Sequence, residues 1–289
     1  MDFYTTAILQ GLGFAGLGLG IFLTLKIFNI PDITTDGSYT LGGAVTAIML
    51  VNGFSPYITL LTAICSGMIA GFTTGIIHTK LKVNALLAGI LVMTALYSIN
   101  LSIMGRSNIP LIQTPTIFSE IIFFVNEFSN KIILFSIFSL VLILFITWLL
   151  KTDFGIAMRA TGNSESMVRA SGVDTQRMKI IGLALANGLT ALSGFLITQY
   201  QGFADINMGI GIVISGLGAV IIGESLIKLF RNNKLFAQIL GVIIGTVLFR
   251  LILAVALDLG LNPNYLKLIT AVIVLLVVSL TRFVKEENK

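Results

Sequence analysis

Charge is what this sequence has least of. Of its 289 residues only 11% are Asp, Glu, Lys or Arg, while 56% are hydrophobic. Soluble domains carry roughly 25% charged residues. A water-soluble fold with so few charges could not cover its surface, whereas lipid needs no such cover. The mean hydropathy of +0.99 points the same way. Cysteine is nearly absent too: Cys65 alone, inside ITLLTAICSGMIAGF, excludes an internal disulfide framework. One histidine, His78, excludes HExxH and multi-histidine metal sites, so no metal is expected. There is no GKS or GKT, hence no P-loop and no expected cofactor; ATP-Mg, if used, belongs to another subunit.

What remains is a series of apolar runs joined by short polar connectors. The net charge of +5 is spread over those connectors, which fits membrane topology rather than nucleic-acid binding. The start, MDFYTTAIL, has no basic stretch, and the first run is long enough to span rather than to be cleaved. The expected architecture is all-α: a polytopic transmembrane bundle of about eight or nine spans, residues 1–289 forming a single transmembrane domain, with one broken or re-entrant segment near 30–51.

The first span, Tyr4 to Lys26, carries a glycine stripe that includes Gly16 and Gly20. The third, Tyr57 to His78, repeats the pattern at Gly67, Gly71 and Gly75, and the eighth, Leu235 to about Leu257, at Gly241 and Gly245. Such faces let a neighbouring helix approach closely, either within the chain or across a subunit contact. Between the first and third, IPDITTDGSYTLGG places Pro31 and Gly37 as helix breakers and Asp32 and Asp36 as acids beside Ser38. Tyr39 to Val51 is too short to span alone: at ~1.5 Å per residue it covers about 20 Å of a ~30 Å core. Part of 30–38 is therefore expected at membrane depth, as a translocation-path element on a broken helix, the alternative being an ordinary interfacial turn.

Along Ala85 to Met104, Thr94, Tyr97 and Ser98 recur at helical spacing, with Asn84 and Asn100 nearby. This mildly polar face either lines a path or hydrogen-bonds across helices. Residues 105–116 read as a loop, FSEIIFFVNEFSN as a short interfacial helix, and Ile132 to Leu150 as a span ending at Trp148. Arg250 lies inside the eighth span, where an arginine costs ~2.5–3.5 kcal/mol on insertion scales. It either attracts a substrate carboxylate or pairs with Asp258 or another buried acid. Lys267, near the outer end of the ninth span, can snorkel. Placing basic connectors inside makes 79–84, 151–179, 228–234 and the tail cytoplasmic, with 203–209 and 258–264 outside. The side of the N-terminus depends on whether 39–51 spans or re-enters.

The long polar exception is Lys151 to Lys179, with five Lys/Arg, three Asp/Glu and glycines at 155, 162 and 172. It reads as two short helices. Asp153 is expected to cap the first and Gly162 to stop it; Asn163 or Ser164 caps the second, Gly172 ends it, and Asp174 caps the next span. Met158, Met167 and Val168 are expected to form an apolar docking face, with Arg159, Arg169 and Arg177 around it. The segment reads as the point where a soluble motor pushes on the membrane part.

The stretch GIAMRATGNSESMVRASGVDTQRMKIIGLALANGLTALSGFL resembles the cytoplasmic loop and following helix of permeases of bacterial ABC importers in the branched-chain amino acid and ribose group. IPDITTDGSYTLGGAV, KVNALLAGILVMTALYSINL and LFRLILAVALDLGLNPNYLKLITA resemble a narrower branch linked to tryptophan or tyrosine uptake. The resemblance implies a cytoplasmic ABC ATPase that holds ATP-Mg, an extracytoplasmic substrate-binding lipoprotein, a permease homodimer in the bacterial inner membrane, and no catalysis by this chain. It matches Arg159, Ala160, Thr161, Gly162, Asn163, Ala170 and Gly172 to the coupling motif, with Met167 on the docking face. Asp32, Asp36, Gly37 and Ser38 match the path signature, to which Asn84, Thr94, Tyr97, Asn100 and Arg250 are added as candidates. The sequence departs at Asn163-Ser164-Glu165, where many relatives continue with an acid and a proline. Rival readings are an ion-coupled secondary transporter using Asp32, Asp36, Arg250 and Glu224, in which no acid is convincingly placed at mid-membrane, and a scaffold or export-assembly subunit.

Overall fold

A computed structural model describes residues 3–124, 126–229 and 234–287. The chain folds as a helical bundle: α1 (Phe3–Gly13), α2 (Ala15–Ile21), α3 (Thr34–Val51), α4 (Pro56–Thr79), α5 (Ala85–Met104), α6 (Ile117–Glu120), α7 (Glu127–Lys151), α8 (Asp153–Asn163), α9 (Glu165–Ala170), α10 (Thr175–Gln201), α11 (Ile212–Leu229), α12 (Leu235–Asp258) and α13 (Leu266–Glu287). A π-helical turn, Phe22–Ile27, extends α2. The fold is not wholly helical. Strands β1 (Asn108–Pro110) and β2 (Phe203–Asp205) pair antiparallel with Ile109 opposite Ala204.

The bundle is built around α10, in which every residue from Ala186 to Gln199 is buried. Two neighbours, α2 and α4, lie against its backbone, and the expected glycine faces are what lets them. A Cβ built on Gly71 would lie 2.1 Å from the Leu183 carbonyl oxygen, and one on Gly67 2.5 Å from that of Asn187. Gly16 and Gly20 of α2 meet the carbonyls of Leu189 and Ala186, and Gly75 meets Ile180. Gly241 and Gly245 instead seat α12 on α11, against Ile227 and the Ala219 carbonyl. All seven glycines are thus used within the chain.

Five helices, α4, α5, α7, α10 and α12, are long and apolar enough to cross a membrane, and α1 with α2 and its π-turn makes a sixth, bent by 45°. The break in the first span, at Phe14, was not expected; the one near 30–51 is placed differently. Gly37 does not break a helix. It lies in the first turn of α3, which runs unbroken for eighteen residues from Thr34, and the irregular backbone is confined to 28–33. Among the described residues, length and composition alone give up to six crossings, fewer than the eight or nine expected. The remaining expected spans are α3 and α11, eighteen residues each, and α13, whose apolar part is Pro263–Ser279.

Chain direction follows from three contacts. The Tyr4 hydroxyl donates to Asp258 at 2.7 Å, while Gly162 of α8 abuts the backbone of Ile27. The first span therefore starts at the end opposite α8 and α9 and finishes beside them. There Lys26 and Lys228 both pair with Glu224, at 2.5 and 2.7 Å. Replacing Gly71 by Ala should lower the thermal unfolding midpoint measurably, since overpacking a tight contact costs ~1–3 kcal/mol, and Gly71→Leu should yield no monodisperse protein. Unchanged melting of Gly71→Ala would contradict this packing.

Candidate functional site

Two polar constructions stand out, one at membrane depth and one at the α8–α9 end. The first begins with Asp32, buried in the irregular segment before α3. The Thr34 N–H donates to its Oδ1 at 2.9 Å and Asn187 Nδ2 to its Oδ2 at 2.7 Å. Asn187 Oδ1 accepts from Ser38 at 2.7 Å, and Thr34 and Thr74 share a hydroxyl hydrogen bond at 2.8 Å. Asn187 is twelve residues into α10, ~18 Å from its start. Asp32 is therefore held beside the middle stretch of α10, a helix long and apolar enough to span. Full pairing is what makes its burial tolerable. Asn187, which sequence reasoning passed over, is the hub. Its signal was an amide inside the otherwise apolar LALANGLTAL.

Asp36, one helical turn on, caps another element. Its carboxylate accepts from the N–H groups of Gly211 and Val213 at 2.8 and 2.9 Å, placing a negative charge on the N-terminus of α11 where the helix dipole favours it. Asn100 is buried and donates to the Gly37 carbonyl at 3.3 Å. Asn84 caps α5 through the Leu86 N–H at 2.9 Å. Thr94, Tyr97 and Ser98 share the exposed outer face of α5, away from Asp32 and Asp36, and Thr94 returns its hydroxyl to the Ile90 carbonyl. The structure thus brings Asp32, Ser38 and Asn187 together and leaves Thr94 and Tyr97 apart from them.

Arg250 does not pair with Asp258, which is taken by Tyr4. Its guanidinium lies over the Phe14 ring at 3.8 Å, and Phe14 stacks on the fully buried Tyr39 at 5.7 Å. Among the described residues no carboxylate bridges to it.

The α8–α9 end keeps its predicted shape with altered details. Thr152, not Asp153, caps α8, because the Thr152 side chain accepts from the Gly155 N–H at 3.2 Å. Gly162 does not stop α8, which runs on to Asn163; a Cβ there would lie 1.8 Å from the Ile27 carbonyl oxygen, so this glycine is needed for close approach. Ser164 occupies the cap position of α9 without a side-chain cap bond. Gly172 ends α9 at φ +84°, and Asp174 caps α10 through the N–H groups of Gln176 and Arg177, as expected. The polar segment ends inside α10, whose first residue is Thr175.

The expected apolar face divides. Met158 is fully buried and Val168 nearly so, holding the two short helices to the bundle, whereas Met167 is 67% exposed. Asn163, Arg169, Ala170 and Gly172 are also exposed, Thr161 is buried, and Arg159 and Ala160 are half-buried. Glu165 ties α9 to α10. It accepts from Arg169 at 2.6 Å, Thr175 at 3.1 Å and Lys179 at 2.5 Å. The sequence marked Glu165 only as a departure from the family pattern.

These features define a helical membrane protein with a folded, charged element at one end. Residues 4–279 match the family described as the branched-chain amino acid transport system permease component, and the chain belongs to that family. It is a permease component of an ABC transporter, an integral membrane protein whose family works with an ATPase partner. It is 40% identical over 266 residues to the tyrosine transport system permease protein of Clostridioides difficile (strain R20291), covering 92% of this chain and 87% of that one. It is 35% identical to an uncharacterized protein of Rickettsia prowazekii (strain Madrid E), over 99% and 100% of the two chains. The galactofuranose transporter permease protein of Escherichia coli (strain K12) is 28% identical, over 93% and 76%. In fold it resembles a metal-chelate type ABC transporter in an inward-facing conformation, with TM-score 0.54 and 16% identity over 97% of this chain and 84% of that one.

The Lys179 hydrogen bond holds the Glu165 carboxyl below the ordinary glutamate range. A lowered folded-state value means the clamp is in force above the ordinary range, ~4.3, and is lost as pH falls through the lowered value. Amide exchange in α9, corrected for intrinsic rates, should be protected at neutral pH and lose protection on acidification. Glu165→Gln should exchange faster already at pH 7 and show little further change. Equal protection in variant and wild type would refute the clamp.

Proposed function

We propose that this chain imports an amino acid, aromatic in kind such as tyrosine or tryptophan, across the bacterial cytoplasmic membrane. Residues 1–289 form one permease domain of eight or nine crossings, with α3, α11 and α13 completing the six that length and composition give. The chain carries no catalytic residue, cofactor or metal of its own and binds no nucleic acid; ATP-Mg is held by a cytoplasmic ABC ATPase. An extracytoplasmic substrate-binding lipoprotein delivers the solute to a permease homodimer in the lipid bilayer. The alternatives within the same reading are branched-chain amino acids, sugars or nucleosides.

The observation that carries the coupling part is the exposed Met167 on a short helix clamped to α10, the most buried of the five straight span candidates among the described residues. The ATPase is proposed to grip Arg159–Asn163, Met167, Ala170 and Gly172. The solute path is proposed to pass Gly37, Asn84, Thr94, Tyr97, Asn100 and Arg250, with Asp32, Asp36 and Ser38 shaping its wall. An ion-coupled transporter acting alone is disfavoured because the oxygens of Asp32 and Asp36 are occupied by the protein's own donors. The amino-acid assignment is supported by the similarity to the tyrosine transport system permease protein of Clostridioides difficile.

Reconstituted with its ATPase and binding protein, the permease should take up labelled tyrosine or tryptophan only when ATP is supplied. Met167→Glu should insert normally yet bind the ATPase about tenfold more weakly, as expected when a buried apolar anchor of an interface is lost (~1.4 kcal/mol). Uptake by the isolated chain driven by an ion gradient would overturn the reading.

A further inference from the structure

A cavity of about 320 Å³ opens near the end opposite α8 and α9, between α1, the first turn of α11, α12 and α13. That is the lower part of the range for small-molecule sites, ~300–1,000 Å³. Two cations line it, Arg250 and Lys267, with Thr6, Gln10 and Ser215 as neutral hydrogen-bonding groups. Leu253 and Leu266 supply apolar wall. Arg250 and Ser215 also line a second, much smaller space of about 10 Å³, which Phe14 and Phe249 help to enclose.

From this arrangement we infer that the cavity binds the carboxylate of a small solute, with Arg250 as the anchoring group and Lys267 as the second cation. The inference rests on the amino-acid import reading and gives it a place on the chain. The acids of the bundle have partners of their own: Asp32 has Asn187, Asp36 has the α11 N-terminus, and Glu224 has two lysines. Arg250 has an aromatic ring instead. Stacking on Phe14 fixes one face of the guanidinium and leaves its in-plane N–H fork, the geometry suited to a carboxylate, without an acid among the described residues. The acid expected to neutralise it, Asp258, is engaged by Tyr4.

The same fork could hold the phosphate of an anionic lipid, but depth and lining favour a solute. Arg250 is eight residues below the end of α12 at Asp258, ~12 Å along the helix, deeper than a headgroup at the interface. Thr6, Gln10 and Ser215 beside it are poor company for an acyl chain.

The test uses the full-length permease assembled with its ATPase in nanodiscs. Three probes are compared by equilibrium binding: tyrosine, 3-(4-hydroxyphenyl)propionate, which keeps the carboxylate and lacks the amine, and tyramine, which keeps the amine and lacks the carboxylate. Tyrosine and the propionate should bind, and tyramine about tenfold or more weakly. Arg250→Gln should weaken tyrosine about tenfold and bring the tyrosine-to-tyramine ratio close to one, with Arg250→Lys recovering part of both. Because Arg250→Gln also removes the stacking on Phe14, Lys267→Gln, at an exposed position, serves as the second variant and should weaken tyrosine a few-fold without changing thermal unfolding. Wild-type binding that ignores the carboxylate, or tyrosine affinity unchanged in both glutamine variants, overturns the site. So does native mass spectrometry showing an anionic phospholipid that leaves on Arg250→Gln while solute binding is unaltered. ATP-driven tyrosine uptake that persists in both variants sinks the site alone, whereas a wild-type complex that moves no amino acid with ATP sinks the import reading.

Discussion

Backbone-to-backbone contact along α10 is the constraint on which the rest depends. In lipid there is no hydrophobic force pulling helix to helix, so association rests on close packing and on hydrogen bonds between helices. Glycines of α2 and α4 remove the side chains that would hold neighbours away from α10, and Gly42 of α3 does the same against Ala191. Only because these helices close so tightly can Asp32, Ser38 and Asn187 meet in one chain of hydrogen bonds with lipid excluded. The network in turn fixes the irregular 28–33 segment, which sets where α3 begins. Asp36 then falls opposite the N-terminus of α11. One packing decision thus positions both eighteen-residue helices that start inside the bundle.

Much of this was legible in the sequence, and what was not has identifiable causes. The GxxxG faces, the polar segment with its two short helices, the Gly172 ending and the Asp174 cap all rest on local chemistry that a one-dimensional reading captures. Gly162 was misread because glycine serves both to end helices and to admit a close neighbour; the neighbour, Ile27, is 135 positions away. Met158, Val168 and Met167 could not be sorted, since helices of eleven and six residues carry too little periodicity to say which side meets the bundle. Asn187 acts through partners 149 and 155 positions away, and Glu165 through Thr175 and Lys179 across the turn into the next helix, so composition alone gave them no weight. Thr94, Tyr97 and Ser98 share a helix face as their spacing predicts, but periodicity says nothing about whether that face turns inward.

The docking element has two attachments to the membrane part, and they differ in kind. Gly162 sets α8 directly against the Ile27 backbone at the π-helical end of the first span. Glu165 joins α9 to α10 by charge. A π-turn has one more residue per hydrogen-bonded loop than an α-helix and marks functional adjustment points in many helices. On the proposed reading, a push at Met167 would reach the rigid α10 through the Glu165 clamp, while the adjustable end of the first span would yield at its contact with α8. Two helices that pack on each other through Gly16 and Gly20 would then be loaded differently by one event, which is what is needed to turn a docking motion into a relative displacement.

Charge placement adds a direction to that displacement. At the α8–α9 end, cations are matched to acids: Lys26 and Lys228 to Glu224, Arg169 and Lys179 to Glu165. At the opposite end Arg250 and Lys267 line an open cavity, and the acid there is engaged by a tyrosine hydroxyl. On the inferred site, Arg250, which has no acid among the described residues, would receive an anionic group at the far mouth, while the near end is drawn together by ion pairs. Opening the near end requires separating Glu224 from Lys26 of the first span, while Lys228 travels with it on the same helix. Since Lys26 ends the π-turn that Gly162 abuts, the element proposed to receive the ATPase's push touches the very segment whose movement would part that ion pair.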